Sequence, residues 1–163
     1  RIEEKYMNNT DNYMNFIANA KFPAGNRDED LYFLFQDKMI LIKEDMGKVF
    51  IPTFKDIKNL IDGLEIIYHL GTFKGIHCFC GEISSCIKIT GELKFIALRQ
   101  GSAIIEKDIV PVCGRAAQII HFHKTNKFCG VCGGENEFVG YEFAMKCKKC
   151  EYMSYPQDRK SVV

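Results

Sequence analysis

The chain has 163 residues, with 22 Lys and Arg against 21 Asp and Glu, 47% hydrophobic and 26% charged positions. That much apolar material can form a core, which excludes a wholly disordered chain, and a net charge of +1 excludes a strongly basic nucleic-acid binder. No apolar run approaches the roughly 18 to 20 residues of a membrane helix, so no membrane partner is expected. Arg1–Lys5 leads into no signal-peptide core and there is no initiator Met, which suggests a processed chain or part of a longer one.

Residues 1–28 are polar and Asn-rich, with only Phe16–Ala20 offering apolar surface before a turn-like Pro23–Arg27; a loosely held arm is expected. Leu31–Phe35 and Met39–Ile42 flank Gln36–Lys38 and read as a β-hairpin. Val49–Ile51 adds a strand, because the residue before Pro52 favours extended backbone. Phe54, Ile57, Leu60, Ile61 and Leu64 then fall at helical spacing and predict a short amphipathic helix over 56–64.

Ile66–Leu70 and Gly75–Gly81 flank Gly71–Lys74 as a second hairpin, Ile87–Thr90 is too short to assign, and Leu93–Arg99 reads as helical turns ending near Gly101. A longer helix begins at Asp108, a good N-cap, with Pro111 tolerated in its first turn. Its stripe is Ile109, Val112, Cys113, Ala116, Ile119, Ile120 and His123. His121 and His123 stand two apart on that helix and point in different directions, so they are not a ligand pair. Beyond Lys127 glycine becomes dense, which puts a boundary near 124–128.

The eight cysteines are Cys78, Cys80, Cys86, Cys113, Cys129, Cys132, Cys147 and Cys150. A core of this size needs no disulfide framework, and half of the thiols form two Cys-x-x-Cys pairs. A reduced, cytoplasmic protein with one metal site is the better reading. Cys129–Cys132 and Cys147–Cys150 are separated by fourteen residues, slightly fewer than usual, with Glu137–Val139 and Tyr141–Met145 alternating as strands around Gly140. Four thiolates suit tetrahedral Zn²⁺, and Gly130 and Gly133 would let backbone amides turn towards the sulfurs. That pattern is a rubredoxin-like zinc ribbon, and four protein ligands make its metal structural. Iron in the same four-sulfur site, or two redox-active or merely buried cysteine pairs, are the alternatives. Cys78, Cys80, Cys86 and His77 lack a second paired knuckle and read as core thiols more readily than as a second metal site. Lys146, Lys148 and Lys149 form a small basic cluster, read as a solvated face or a contact for RNA phosphate.

The flanks narrow the reading. Arg115–Gly133 runs from a helix straight into the first knuckle, and Tyr152–Gln157 follows the second. With Tyr68–Gly75 and Ala97–Gln100 upstream, the chain resembles the NADH pyrophosphatases, the zinc-containing branch of the Nudix hydrolases, most specifically over 113–157. The resemblance implies an α+β fold: an arm (1–28), a Nudix-like N-terminal domain with a mixed or antiparallel sheet and helices (29–124), and a zinc ribbon (125–157). Residues 158–163 would begin a catalytic domain, with Val162–Val163 as its first strand. It further implies hydrolysis of NADH or NAD⁺ to a nicotinamide mononucleotide and AMP, NAD-cap removal from RNA in some members, and a homodimer. The family's catalytic motif, the Nudix box, ends in Arg-Glu and binds Mg²⁺ or Mn²⁺ through carboxylates at helical spacing. No Arg-Glu dipeptide exists in this chain, so no catalytic residue is assigned and the segment alone is expected to be inactive.

The resemblance carries substrate contacts to Arg99, Glu142 and Tyr155. An arginine pairs with phosphate and a tyrosine stacks on a base. The chain departs from the family at Thr53, where a basic residue is usual after the proline, at Lys148, Lys149 and Glu151 in the second knuckle, and at Arg159–Lys160. The competing reading is a stand-alone zinc-ribbon module that binds nucleic acid or protein.

Overall fold

The computed structural model describes residues 16–19, 21, 23–139 and 143–156. Its elements in chain order are β1 (Phe16–Ala18), β2 (Leu31–Gln36), β3 (Met39–Asp45), β4 (Lys48–Phe50), α1 (Phe54–Ile57), a 3₁₀ segment (Lys58–Gly63), β5 (Leu64–Phe73) and β6 (Ile76–Ile83). Then follow β7 (Leu93–Ala97), α2 (Leu98–Ile104), α3 (Val110–Thr125), β8 (Asn136–Val139), β9 (Ala144–Cys147) and β10 (Met153–Ser154). The first seven strands make one sheet in the order β1-β5-β6-β2-β3-β4, with β7 also on β3. Its β2–β6 pair is parallel and the other pairs are antiparallel, so the sheet is mixed and the fold is α+β.

Burial on both faces explains the unbroken apolar run of β2. Phe33 and Phe35 join Ile40, Ile42, Cys78 and Cys80 on one face, under Val112, Cys113, Ala116, Ile119 and Ile120 of α3. Tyr32 and Leu34 point the other way with Leu41 and Phe79, covered by Ile57 and Leu60. Strand side chains alternate between faces, so a strand apolar on both sides must sit between two layers. Each such large side chain contributes about 1.5–3 kcal/mol by leaving water.

Four local expectations change. The helix expected over 56–64 holds only one α-turn and continues as 3₁₀. Phe54, Ile57 and Leu60 repeat every three residues, and a 3₁₀ helix aligns that repeat on one face. Leu93–Ala97 is a strand and not helical, because five paired positions along β3 outweigh the local preference of its Lys, Ala and Leu. The second hairpin turns at Lys74–Gly75, both with positive φ, rather than over Gly71–Lys74. Gly71 lies within β5 at φ +145°, where an added Cβ would stand 2.0 Å from the Ile17 carbonyl oxygen of β1. That contact belongs to the fourth change: the end of the expected loose arm is an edge strand, with Phe16 and Ala18 buried.

Thr53, the departure after Pro52, starts α1: its amide and hydroxyl both donate to Asp56 Oδ2, at 2.9 and 3.0 Å. Helix α3 is capped from Ile109, while Asp108 lies 3.9 Å from Lys74 Nζ. Among the described residues no helix is long and apolar enough to cross a membrane.

Candidate metal centre

Helix α3 ends at Thr125, and Asn126 Nδ2 donates to the Phe122 carbonyl at 3.0 Å. Asn136 then holds the next segment in place, its Nδ2 donating to Asn126 O at 2.8 Å and its amide to Lys127 O at 2.9 Å. The chain therefore enters the small sheet β10-β9-β8 directly from the helix. The two sheets touch where Phe138 of β8 packs on Tyr68 of β5, with ring centroids 3.9 Å apart, and Arg115 of α3 lies over the ring of Phe143, just before β9. Tyr68 also meets His123 Nδ1 through its hydroxyl. The sequence places His123 on the helix stripe and Tyr68 in a strand, but not their contact, which joins positions 55 residues apart.

The two Cys-x-x-Cys segments are near-copies of one turn. In the first, the Cys129 amide donates to Gly134 O at 2.7 Å and the Gly133 amide to Cys129 O at 3.0 Å. In the second, the Cys147 amide donates to Tyr152 O at 2.9 Å and the Glu151 amide to Cys147 O at 3.0 Å. Both turns need a left-handed residue after the second cysteine: Gly133 has φ +75° and Glu151 has φ +64°. The absence of glycine from the second knuckle leaves its geometry intact at the cost of strain on Glu151.

These turns bring Cys129, Cys132, Cys147 and Cys150 together, with the four sulfurs all within 4.8 Å of one another. Cys129 and Cys150 are 3.6 Å apart and Cys132 and Cys147 are 3.4 Å apart. A tetrahedron of sulfurs about 2.3 Å from a zinc ion has edges of about 3.8 Å, so the donor set fits such an ion. Backbone amides supply the surrounding shell: Val131 donates to Cys129 Sγ at 3.3 Å, Gly134 to Cys132 Sγ at 3.4 Å, and Lys149 and Cys150 to Cys147 Sγ at 3.3 Å. The amides expected from Gly130 and Gly133 are thus supplied by Val131 and Gly134. Space at Gly134 is tight as well, since a Cβ there would lie 3.1 Å from Cys147 Sγ and 3.2 Å from Cys132 Sγ. The Gly-Gly pair after Cys132 was its signal in the sequence.

Electrostatics agree with a site for a cation. The Cys150 amide, aided by that of Lys149, lowers the Cys147 thiol to about 6 against the opposing effect of burial. The Cys132 amide likewise lowers Cys129. Cys150 has a favourable amide from Tyr152, yet burial and the three neighbouring sulfurs push it up to about 12. Four thiolates this close repel one another, and a divalent cation removes that repulsion.

The remaining cysteines do not assemble a second centre. Among the described residues the only metal-sized group of His, Cys, Asp and Glu is the four-cysteine cluster. Cys78 and Cys80 of β6 and Cys113 of α3 meet in the core, where burial raises all three thiols, Cys78 and Cys113 to about 12, and Cys86 is exposed. His77 points away from them and meets His69. Arg99 is exposed in the first turn of α2, and Tyr155, 41% exposed, follows β10. Glu142, Tyr141 and Gly140 lie outside the described residues, as do 158–163. The lysine cluster is partly paired: Lys146 with Glu151 at 3.8 Å and Lys148 with Glu135 at 3.4 Å.

An α+β fold whose last helix feeds two Cys-x-x-Cys knuckles defines a protein with a four-cysteine cluster compatible with a small zinc ribbon. The model of the NADH pyrophosphatase-like rudimentary NUDIX domain matches residues 29–121, and the chain belongs to that family. Among its relatives, the NAD-capped RNA hydrolase NudC of Haemophilus influenzae (strain PittEE) is 37% identical over 65 residues, covering 40% of this chain and 24% of the relative. NudC of Pseudomonas putida (strain W619) is 32% identical over 94 residues, covering 58% of this chain and 34% of the relative. NudC of Photobacterium profundum is 38% identical over 53 residues, covering 32% of this chain and 20% of the relative. The chain thus spans about a third or less of the length of these curated relatives.

Proposed function

We propose that this chain is the N-terminal sheet domain (29–124) and zinc ribbon (125–157) of an NAD(H) diphosphatase that also acts on NAD-capped RNA. In this reading it binds and orients substrate for a catalytic segment, and does no chemistry alone. The observation that carries it is the continuity from the family-matched sheet, through α3, into four sulfurs within 4.8 Å. Cys129, Cys132, Cys147 and Cys150 would hold Zn²⁺, which as a closed four-thiolate site supplies folding energy and no open position for a reactant. Arg99 would pair with a substrate phosphate, Tyr155 would stack on a base and Glu142 would lie beside it. Mg²⁺ or Mn²⁺ would belong to the catalytic segment, in a cytoplasmic homodimer.

The test uses the full reading frame from the source gene. Its product should cleave NADH to the reduced mononucleotide and AMP, while residues 1–163 alone, replete with metal and given Mg²⁺, should not. Arg99→Ala should lower kcat/KM at least about tenfold, the loss expected for one charge-assisted phosphate contact. A reading frame that stops at Val163, turnover by this segment alone, or unchanged kinetics in Arg99→Ala would each overturn the corresponding part. One zinc per chain is expected by elemental analysis; iron or no metal would refute the ligand assignment.

A further inference from the structure

Two junctions of the large sheet lie side by side. The Leu98 amide donates to the Lys38 carbonyl at 3.4 Å, next to the Met39–Ala97 pair at one end of the β3–β7 ladder. Lys38 belongs to the β2–β3 turn and Arg99 follows Leu98 in the first turn of α2, so two long cationic side chains start from neighbouring segments, both exposed. Lys43, Lys58, Lys74, Lys94 and Lys124 of the same domain each face a carboxylate. Among the described residues Lys38 and Arg99 form no ion pair, and Asp37, the acid next to Lys38, forms none with it.

The segment that carries Lys38 is fixed by its surroundings. Asp37 turns the chain in the left-handed conformation at φ +56°, Gln36 pairs with Met39, and Gln36 Nε2 donates to Ser84 O at 3.2 Å. At this end the register runs across four strands: Glu82 beside Phe35, Phe35 beside Ile40, and Ile40 beside Ile96. Lys124, near the end of α3, reaches Glu82 at 3.0 Å. The two cations and the helix end that leads into the small sheet therefore share one end of the large sheet.

We infer that Lys38 is a second phosphate contact, bracketing one anionic group of the substrate together with Arg99. This rests on the phosphate role proposed above for Arg99. Two cations held side by side repel each other, and an anion between them removes that repulsion. Their chemistry is complementary: a guanidinium takes two phosphate oxygens in one plane, and an ammonium is a compact point charge that meets a remaining oxygen. The pyrophosphate of a dinucleotide and the strand phosphates of RNA offer the same oxygens, so the probes have to separate them.

The experiment is an NMR titration of the whole chain with NAD⁺, up to about 10 mM, and separately with an uncapped single-stranded RNA octamer, up to about 1 mM. The amides of Lys38, Met39, Leu98 and Arg99 should shift together. Lys38→Gln and Arg99→Gln should each weaken the response at least about threefold, the least expected for one exposed charge-assisted contact. Lys55→Gln, an equal loss of charge at an exposed position on α1, should not. A response to NAD⁺ assigns the pyrophosphate, and a response to the octamer alone assigns strand phosphates. No shift with either probe, or equal weakening by Lys55→Gln, would overturn the clamp. The diphosphatase reading fails on a different observation: a full reading frame whose product leaves NADH intact, whatever the titration shows.

Discussion

The large sheet and the ribbon are stabilised by opposite means. The sheet buries two apolar faces, with Phe33, Leu34, Ile40, Leu41 and Ile42 all at 0% exposure. In the ribbon the fully described buried side chains come down to Ala144, Met145, Asn136 and the cysteines Cys129 and Cys147, while Phe128, Val131 and Tyr152 remain more than half exposed. A unit that small cannot gain enough from burial to offset ordering its backbone. In the proposed reading a metal held by the sulfur cluster supplies the difference, which would give the chain one module that depends on hydrophobic burial and one that depends on metal.

Metal removal should separate the two most sharply. A strong chelator, or Cys147→Ser, should abolish ordered β8, β9 and β10 resonances while those of β2, β3 and β6 persist; a cooperative loss of both sheets would break the distinction. The converse variant is Phe33→Ala, which should cost about 3–5 kcal/mol in chemical denaturation through the cavity it leaves. Its metal content should stay at that of the wild type.

A smaller effect tests the start of α1. The Asp56 carboxyl is opposed by burial, but the Thr53 amide and hydroxyl and the Lys43 ammonium, 3.0 Å away, bring it below its ordinary 3.8. A lowered carboxylate stabilises above its unfolded value and loses that contribution as pH falls through the folded one. Stability of the sheet should therefore decline below about pH 4, and Asp56→Asn should flatten that decline while costing about 1 kcal/mol at neutral pH. Glu151→Gly makes the smallest change and the only gain: relieving the left-handed residue of the second knuckle should stabilise the metal-bound ribbon by about 1 kcal/mol. The Lys146 contact it removes is an exposed pair of little worth. Unfolding of the ribbon monitored at constant free zinc would reveal either sign.

The hairpin of β2 and β3, the stripe of α3 and the four cysteines could all be read along the chain. In each, the spacing of a few residue types fixes the answer: alternation for strands, a 3.6-residue period for α3, two paired thiols for the knuckles. Leu93–Ala97 could not, because its state depends on pairing with β3, which lies far earlier in the chain. Nor could β1, whose three residues form a strand only because Gly71 leaves room for the Ile17 carbonyl. Candidate contact residues divide in the same manner. The cysteines converge through local turns, whereas Arg99 and Tyr155 lie on separate elements and take their proposed role from family likeness.

By itself the sequence determined the α+β class, which four cysteines cluster, and the family, since these rest on local pattern and residue chemistry. Tertiary structure decided the parallel pairing of β2 with β6, the strand state of Leu93–Ala97 and the amides aimed at each sulfur. It also decided the meeting of His69 with His77 and of Tyr68 with His123. Those are contacts between distant segments, and their free energy exists only once the chain has brought the partners together.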